Sequence, residues 1–143
     1  MESRLILFPL IAMALLTFIV AALMFRRRVA AMKAQRIHPQ KVALSAQMAA
    51  LIADTRASDN FRNLFELPVL FYAAVLTIYS ANLCNTTYMV LSWFFVVTRY
   101  AHSYLHCGPN RTMLRFSAFA AGFITLILIW LLLAFDIITS AAV

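Results

Sequence analysis

The 143-residue chain reads as an all-α integral membrane protein, a four-helix bundle forming one domain over residues 1–143. Composition comes first: 64% of residues are hydrophobic, 12% are charged and the mean hydropathy is +0.87. Soluble domains carry about a quarter charged residues, so this chain has too few to clothe a water-exposed surface. The same figures exclude disordered and collagen-like chains. Two long apolar runs come second, Leu5–Phe25 and Phe116–Phe135. Each is close to the roughly 20 residues that an apolar helix needs to cross a bilayer. Third, the Lys and Arg residues crowd onto what four crossings make a single side.

The first span is expected at about residues 5–25. It is too long for a signal-peptide core and no small-residue cleavage pattern closes it, so it reads as a retained helix. A basic loop follows over about residues 26–59, opening with Arg26-Arg27-Arg28. Within it Val42, Ala43, Leu44, Met48, Leu51 and Ile52 recur near helical spacing after Pro39. This pattern suits either a short amphipathic helix at the interface or a loosely ordered basic loop. The second span, about 61–83, is long enough only if Leu67–Ala81 is extended back toward Asn60 to include Glu66. The third, about 86–107, is long enough only if Thr86–Thr98 continues through Arg99 to Cys107. The fourth, about 111–136, includes Ala118-x-x-x-Gly122, a small-residue spacing that lets helices approach closely.

Arg26 through Arg62, then Arg99, Arg111 and Arg115, fall on one side of these spans, and only Arg4 falls on the other. The positive-inside rule therefore predicts cytoplasmic basic regions and non-cytoplasmic N- and C-termini. The net charge of +7 is explained without nucleic acid, for which no binding motif is present. Cys84 and Cys107 are too few for a disulfide framework.

Polar groups at membrane depth are costly and usually face a bundle interior. Arg62, Asn63 and Glu66 stand at i, i+1 and i+4. Arg99, His102, Ser103 and His106 form an i, i+3, i+4, i+7 stripe, and Arg111 and Arg115 are again i, i+4. Together they outline a pocket rich in cations. Plainer readings stand beside this one. Asn63 and Glu66 suit a helix cap before Pro68. Glu66 and Arg99 suit a structural ion pair. Arg111 and Arg115 suit anchoring in the headgroups. His102 and His106 have half a metal site's spacing but no carboxylate between them, so no metal is expected. Ser103 lacks the carboxylate-oriented histidine of a nucleophilic triad.

These motifs resemble the MAPEG family, the membrane-associated proteins in eicosanoid and glutathione metabolism. Members include the microsomal glutathione transferases and microsomal prostaglandin E synthase. Arg62-Asn63-x-x-Glu66 with Pro68 is similar to the family's Asn-x-x-Glu followed by Pro. Arg99-x-x-His102-Ser103-x-x-His106 with Arg111 and Arg115 is similar to its arginine–histidine stripe, with His106 standing where one relative has Tyr. The resemblance implies a homotrimer in the lipid bilayer, with glutathione as cosubstrate between protomers near the cytoplasmic face. Arg62, Asn63, Glu66, Arg99, His102, Ser103 and His106 would bind it, and Arg111 and Arg115 would activate its thiol. Arginines suit its carboxylates, and a cation beside the sulfur favours the thiolate. The expected activity is a glutathione transferase or peroxidase acting on a small apolar electrophile or hydroperoxide, with no protein nucleophile. A non-catalytic relative that binds a lipid or a partner protein is the alternative. A proton-coupled transporter using Glu66 is disfavoured by the surrounding cations. The compact loops suggest a bacterial inner membrane.

Overall fold

A computed structural model describes residues 3–42, 47 and 50–141. A single 3-10 turn at Ser3–Ile6 leads into α1 (Leu7–Ala34), followed by α2 (Arg56–Asn63), α3 (Leu67–Ser80), α4 (Thr86–Cys107) and α5 (Thr112–Ala141). The possible interfacial helix through Ala43, Leu44 and Met48 lies outside the described residues.

The first helix does not end at Phe25. It continues through Arg26-Arg27-Arg28 to Ala34, so the expected loop begins as helix. No Gly or Pro interrupts this stretch, and Ala, Arg and Lys are good helix formers. The chain leaves the helix at Arg36, whose φ of 52° is left-handed. Ile6, Pro9, Met13, Leu16 and Val20 form the buried stripe of this segment.

The second span is two helices rather than one. Pro68 has no N–H, and its ring would collide with the carbonyl of Leu64 in a continuous helix. The chain tightens over Leu64–Glu66 instead: Phe65 N–H bonds Arg62 O at 2.9 Å and Glu66 N–H bonds Asn63 O at 3.4 Å. Arg62 and Asn63 therefore belong to α2 while Glu66 lies in the break, and the expected single face of Arg62, Asn63 and Glu66 is lost. Glu66 stands at the N-cap position of α3 without a side-chain capping bond.

Among the described residues, three helical stretches are long and apolar enough to cross a membrane: Ser3–Ala34, Arg56–Ser80 and Thr112–Ser140. The 22 residues of α4 are long enough, at about 33 Å, but too polar to qualify on composition. Packing explains this. Ser92, Thr98, Arg99, His102, Ser103 and His106 are all buried, while Val90, Phe94 and Val97 face outward. Polar inside and apolar outside, α4 suits a lipid surround. With the other three stretches it completes the four-helix bundle of an integral membrane protein.

In the core, Met13, Phe71, Ile78, Phe95, Ile129 and Leu133 interlock. The Phe71 and Phe95 rings stack with centroids 4.5 Å apart. The most extensive helix pairing is α4 on α5. Asn85 caps α4 by accepting a bond from Tyr88 N–H at 3.0 Å. At that same end Tyr88 donates its hydroxyl to Asp136 Oδ2 at 2.7 Å. Tyr88→Phe is expected to cost about 1–3 kcal/mol, the penalty of a lost bond to a half-buried acceptor. Thermal unfolding in detergent measures this, and an unchanged midpoint would show the pair to be idle.

Candidate functional site

The opposite, basic end gathers α2, the last turns of α4 and the first turns of α5. They enclose a cavity of about 240 Å³ lined by Asn63, His102, His106, Thr112, Arg115 and Phe119, with Phe116 at its rim. The i, i+4 spacing of His102 and His106 turns both rings inward, edge to face with centroids 5.5 Å apart. His102 Nδ1 lies 3.1 Å from the Arg115 carbonyl. A carbonyl only accepts, so Nδ1 carries the proton and Nε2 is left as an acceptor. Neither His102 Nε2 nor His106 Nδ1 has a partner within the protein. The turn into α5 passes through Asn110 in a left-handed conformation (φ 50°). Asn110 Oδ1 accepts a bond from Arg115 Nη1 at 2.8 Å, which steadies that guanidinium at the cavity.

Arg99 is more unusual. It is 1% exposed, and its guanidinium lies 5.3 Å from the Phe95 ring centroid and 4.9 Å from that of Phe119. The negative ring faces attract it, yet Nε and Nη2 have no hydrogen-bond partner. Among the described residues, ion pairs within 4.0 Å are Arg27–Asp54 and Arg56–Asp54. The structural Glu66–Arg99 pair that the sequence allowed is therefore not formed, and Glu66 is exposed. A buried cation without a direct ion pair is costly. Held directly behind Phe119, Arg99 gives the cavity wall a positive potential.

The structure thus unites Asn63, His102, His106 and Arg115 around one cavity, with Arg99 behind its wall. It does not bring in the rest. Arg62 and Glu66 lie exposed at the α2–α3 break, and Arg111 is exposed in the turn before α5. Ser103 is buried on the other flank of α4, donating to Asn60 Oδ1 at 3.4 Å.

Asn60, which the sequence offers as the end of a competing Arg56-x-x-x-Asn60 register, is fully buried and also donates Nδ2 to Cys107 Sγ at 3.4 Å. Phe95, Phe119 and Thr112 were not singled out from sequence. Phe95 stands four residues before Arg99 on one helix face, which was the available signal. Phe119 and Thr112 come from another helix and left no such mark.

At the C-terminal end of α4, Asp54 accepts bonds from Arg56 Nε and Nη2 at 2.8 and 3.0 Å and lies 3.5 Å from Arg27. The two arginines also donate to the end of α4, Arg27 to Cys107 O at 2.8 Å and Arg56 to Gly108 O at 2.9 Å. Cations at a helix C-terminus complement its dipole. The hydrogen bonds from Arg56 hold the Asp54 carboxyl below its ordinary value of 3.8. The clasp is therefore fully formed above that ordinary value and weakens as pH falls through the lower folded one.

A family model described as the MAPEG family matches residues 6–135. No curated protein and no solved structure matches the chain.

Proposed function

We propose, from the premise that this chain belongs to the MAPEG family, that it is a membrane-bound glutathione-dependent transferase or peroxidase. The observation that carries this reading is the cluster of cations and unpartnered nitrogens at the cavity, Arg115, Arg99, His102 Nε2 and His106 Nδ1, with no carboxylate in the cavity lining. Such a cluster calls for an anionic, hydrogen-bonding ligand. Glutathione offers two carboxylates, an ammonium and a thiol.

In this reading Arg115, which lines the cavity, faces the sulfur. A free thiol ionises near pH 8.5, and an adjacent guanidinium favours the thiolate at neutral pH. Asn63 and the histidines hold the polar backbone of the tripeptide. The thiolate then attacks an apolar electrophile arriving from the bilayer, forming a thioether as the attacked carbon expels its leaving group or, in conjugate addition, as the C=C bond opens and its far carbon takes a proton. With a hydroperoxide it takes the terminal oxygen and releases the alcohol, and a second glutathione closes the disulfide with loss of water.

At about 240 Å³ the cavity of one chain is smaller than the roughly 300–1,000 Å³ of common ligand sites. Arg62 and Glu66 meanwhile point outward at membrane depth without ion-pair partners among the described residues. Both features support a homotrimer in which one protomer's Glu66 and Arg62 complete its neighbour's site, Glu66 taking the ammonium. The concentration of Lys and Arg supports a cytoplasmic placement for this end, with both termini on the other side.

A glutathione titration of the detergent-purified protein, following the ultraviolet thiolate band at neutral pH, tests the reading. A saturable band is expected, lost in Arg115→Ala and kept in Arg111→Ala. Activity should fall about 100-fold or more in Arg115→Ala, as when a preorganised charge-stabilising donor is removed. An intact oligomer with no thiolate band would overturn the proposal in favour of a lipid- or partner-binding relative.

A further inference from the structure

On the opposite flank of α4 from that cavity lies a second space. Leu16, Val20 and Leu23 of α1 face Tyr100, Tyr104 and Cys107 of α4 across a slot of about 400 Å³ whose walls are almost wholly apolar. The two stripes share helical spacing, but the helices stand far enough apart to leave the slot open. It opens sideways, toward the bilayer: Ile19 and Tyr104 at its lips are 50% and 73% exposed. Tyr100 hydroxyl, donating to Ala12 O at 2.8 Å, closes the end away from the basic residues.

Arg27 heads the other end. Its Nη2 is engaged by Cys107 O, but its Nη1 is buried without a hydrogen-bond partner, the nearest anion being Asp54 at 3.5 Å. That single carboxylate is shared with Arg56, which holds it at 2.8 and 3.0 Å. Two guanidiniums on one carboxylate leave a positive charge uncompensated, and the preceding residue on α1, Arg26, is an exposed further cation. An apolar slot open to lipid and headed by surplus positive charge is complementary to an amphiphile with an apolar tail and an anionic head.

We propose that this slot seats one acyl chain of an anionic phospholipid, with its phosphate at Arg27 and Arg26. A phospholipid fits better than a free fatty acid on two counts. The lateral opening leaves the second chain free to lie outside against Ile19, and the head end presents more than one guanidinium. The bound phosphate would tie α1 to the last turn of α4, which carries His106, and so stiffen the basic end. The inference depends on a membrane setting and not on glutathione binding, so either reading can fail alone.

The test places a reporter in the slot. Ile19→Trp is combined with Trp93→Phe and Trp130→Phe, and the protein is reconstituted in bilayers containing brominated phosphatidylglycerol or brominated phosphatidylcholine. Phosphatidylglycerol is expected to quench the tryptophan at about fivefold lower mole fraction, the effect of one basic residue near an anionic lipid. This preference should vanish in Arg27→Gln and fade at high salt. If Arg27→Gln does not fold, Arg26→Gln and the salt series provide the same readout. Equal quenching by both lipids, no quenching by either, a preference that survives both substitutions and salt, or displacement of phosphatidylglycerol by equimolar oleate would each overturn the assignment.

Discussion

Arg99→Met is expected to stabilise the ligand-free protein while weakening the glutathione binding proposed above. The two effects share a cause. Arg99 is 1% exposed, and its Nε and Nη2 have no partner. Methionine fills similar space between Phe95 and Phe119 without a charge to desolvate. Replacing buried charges by well-packed apolar side chains is often neutral or stabilising, by up to about 4 kcal/mol. Glutathione loses in the exchange. A cation about 8 Å from a bound anion, at an effective dielectric of about 20, contributes roughly 2 kcal/mol. Binding should therefore weaken about tenfold or more. Thermal unfolding with and without glutathione reads both effects: a higher midpoint without ligand and a smaller shift with it. A lowered ligand-free midpoint would mean that Arg99 is structural. An unchanged ligand shift would remove it from the site.

The second large effect is expected at Gly122, where α4 and α5 meet. A Cβ there would lie 2.7 Å from Thr98 Oγ1 and 3.4 Å from Arg99 Nε. Thr98 cannot easily yield, because its hydroxyl donates to Phe95 O at 2.7 Å. Gly122→Ala should cost about 1–3 kcal/mol through overpacking, partly offset by the roughly 1 kcal/mol that alanine gains in a helix. Gly122→Leu has no room without parting the two helices. It should abolish the folded protein, or leave one in which the contact between His102 and the Arg115 carbonyl is lost. Size-exclusion profiles and unfolding midpoints distinguish the two substitutions. Wild-type stability in Gly122→Leu would show that the interface is loose. Space, not backbone freedom, is what glycine supplies here, since its φ is not positive.

The same pair of residues shows how far the sequence could be read. Ala118-x-x-x-Gly122 flagged a close approach of helices, but not that the partner would be Thr98 and a buried guanidinium. The arginine–histidine stripe on α4 was legible because 3.6 residues per turn places i, i+3, i+4 and i+7 on one face. All four of its members are indeed buried. Which neighbour each one meets was not legible. Ser103 turned to Asn60 while His102 and His106 turned to α5.

The amino-acid order alone settles that this is a helical membrane bundle with a polar end, because transfer to lipid sums over residues and needs no knowledge of partners. It also contained the break at Pro68, a local steric fact consistent with reading that proline as the first turn of a late-starting helix. Long-range packing settles the rest. It buries the polar face of α4, which makes a helix too polar on composition compatible with lipid. It slides Arg99 between Phe95 and Phe119 and leaves Glu66 outside. It opens one space beside His102 and another beside Tyr100, on opposite flanks of the same helix. Helical periodicity assigns a residue to a face. Only the assembled helices determine what that face meets.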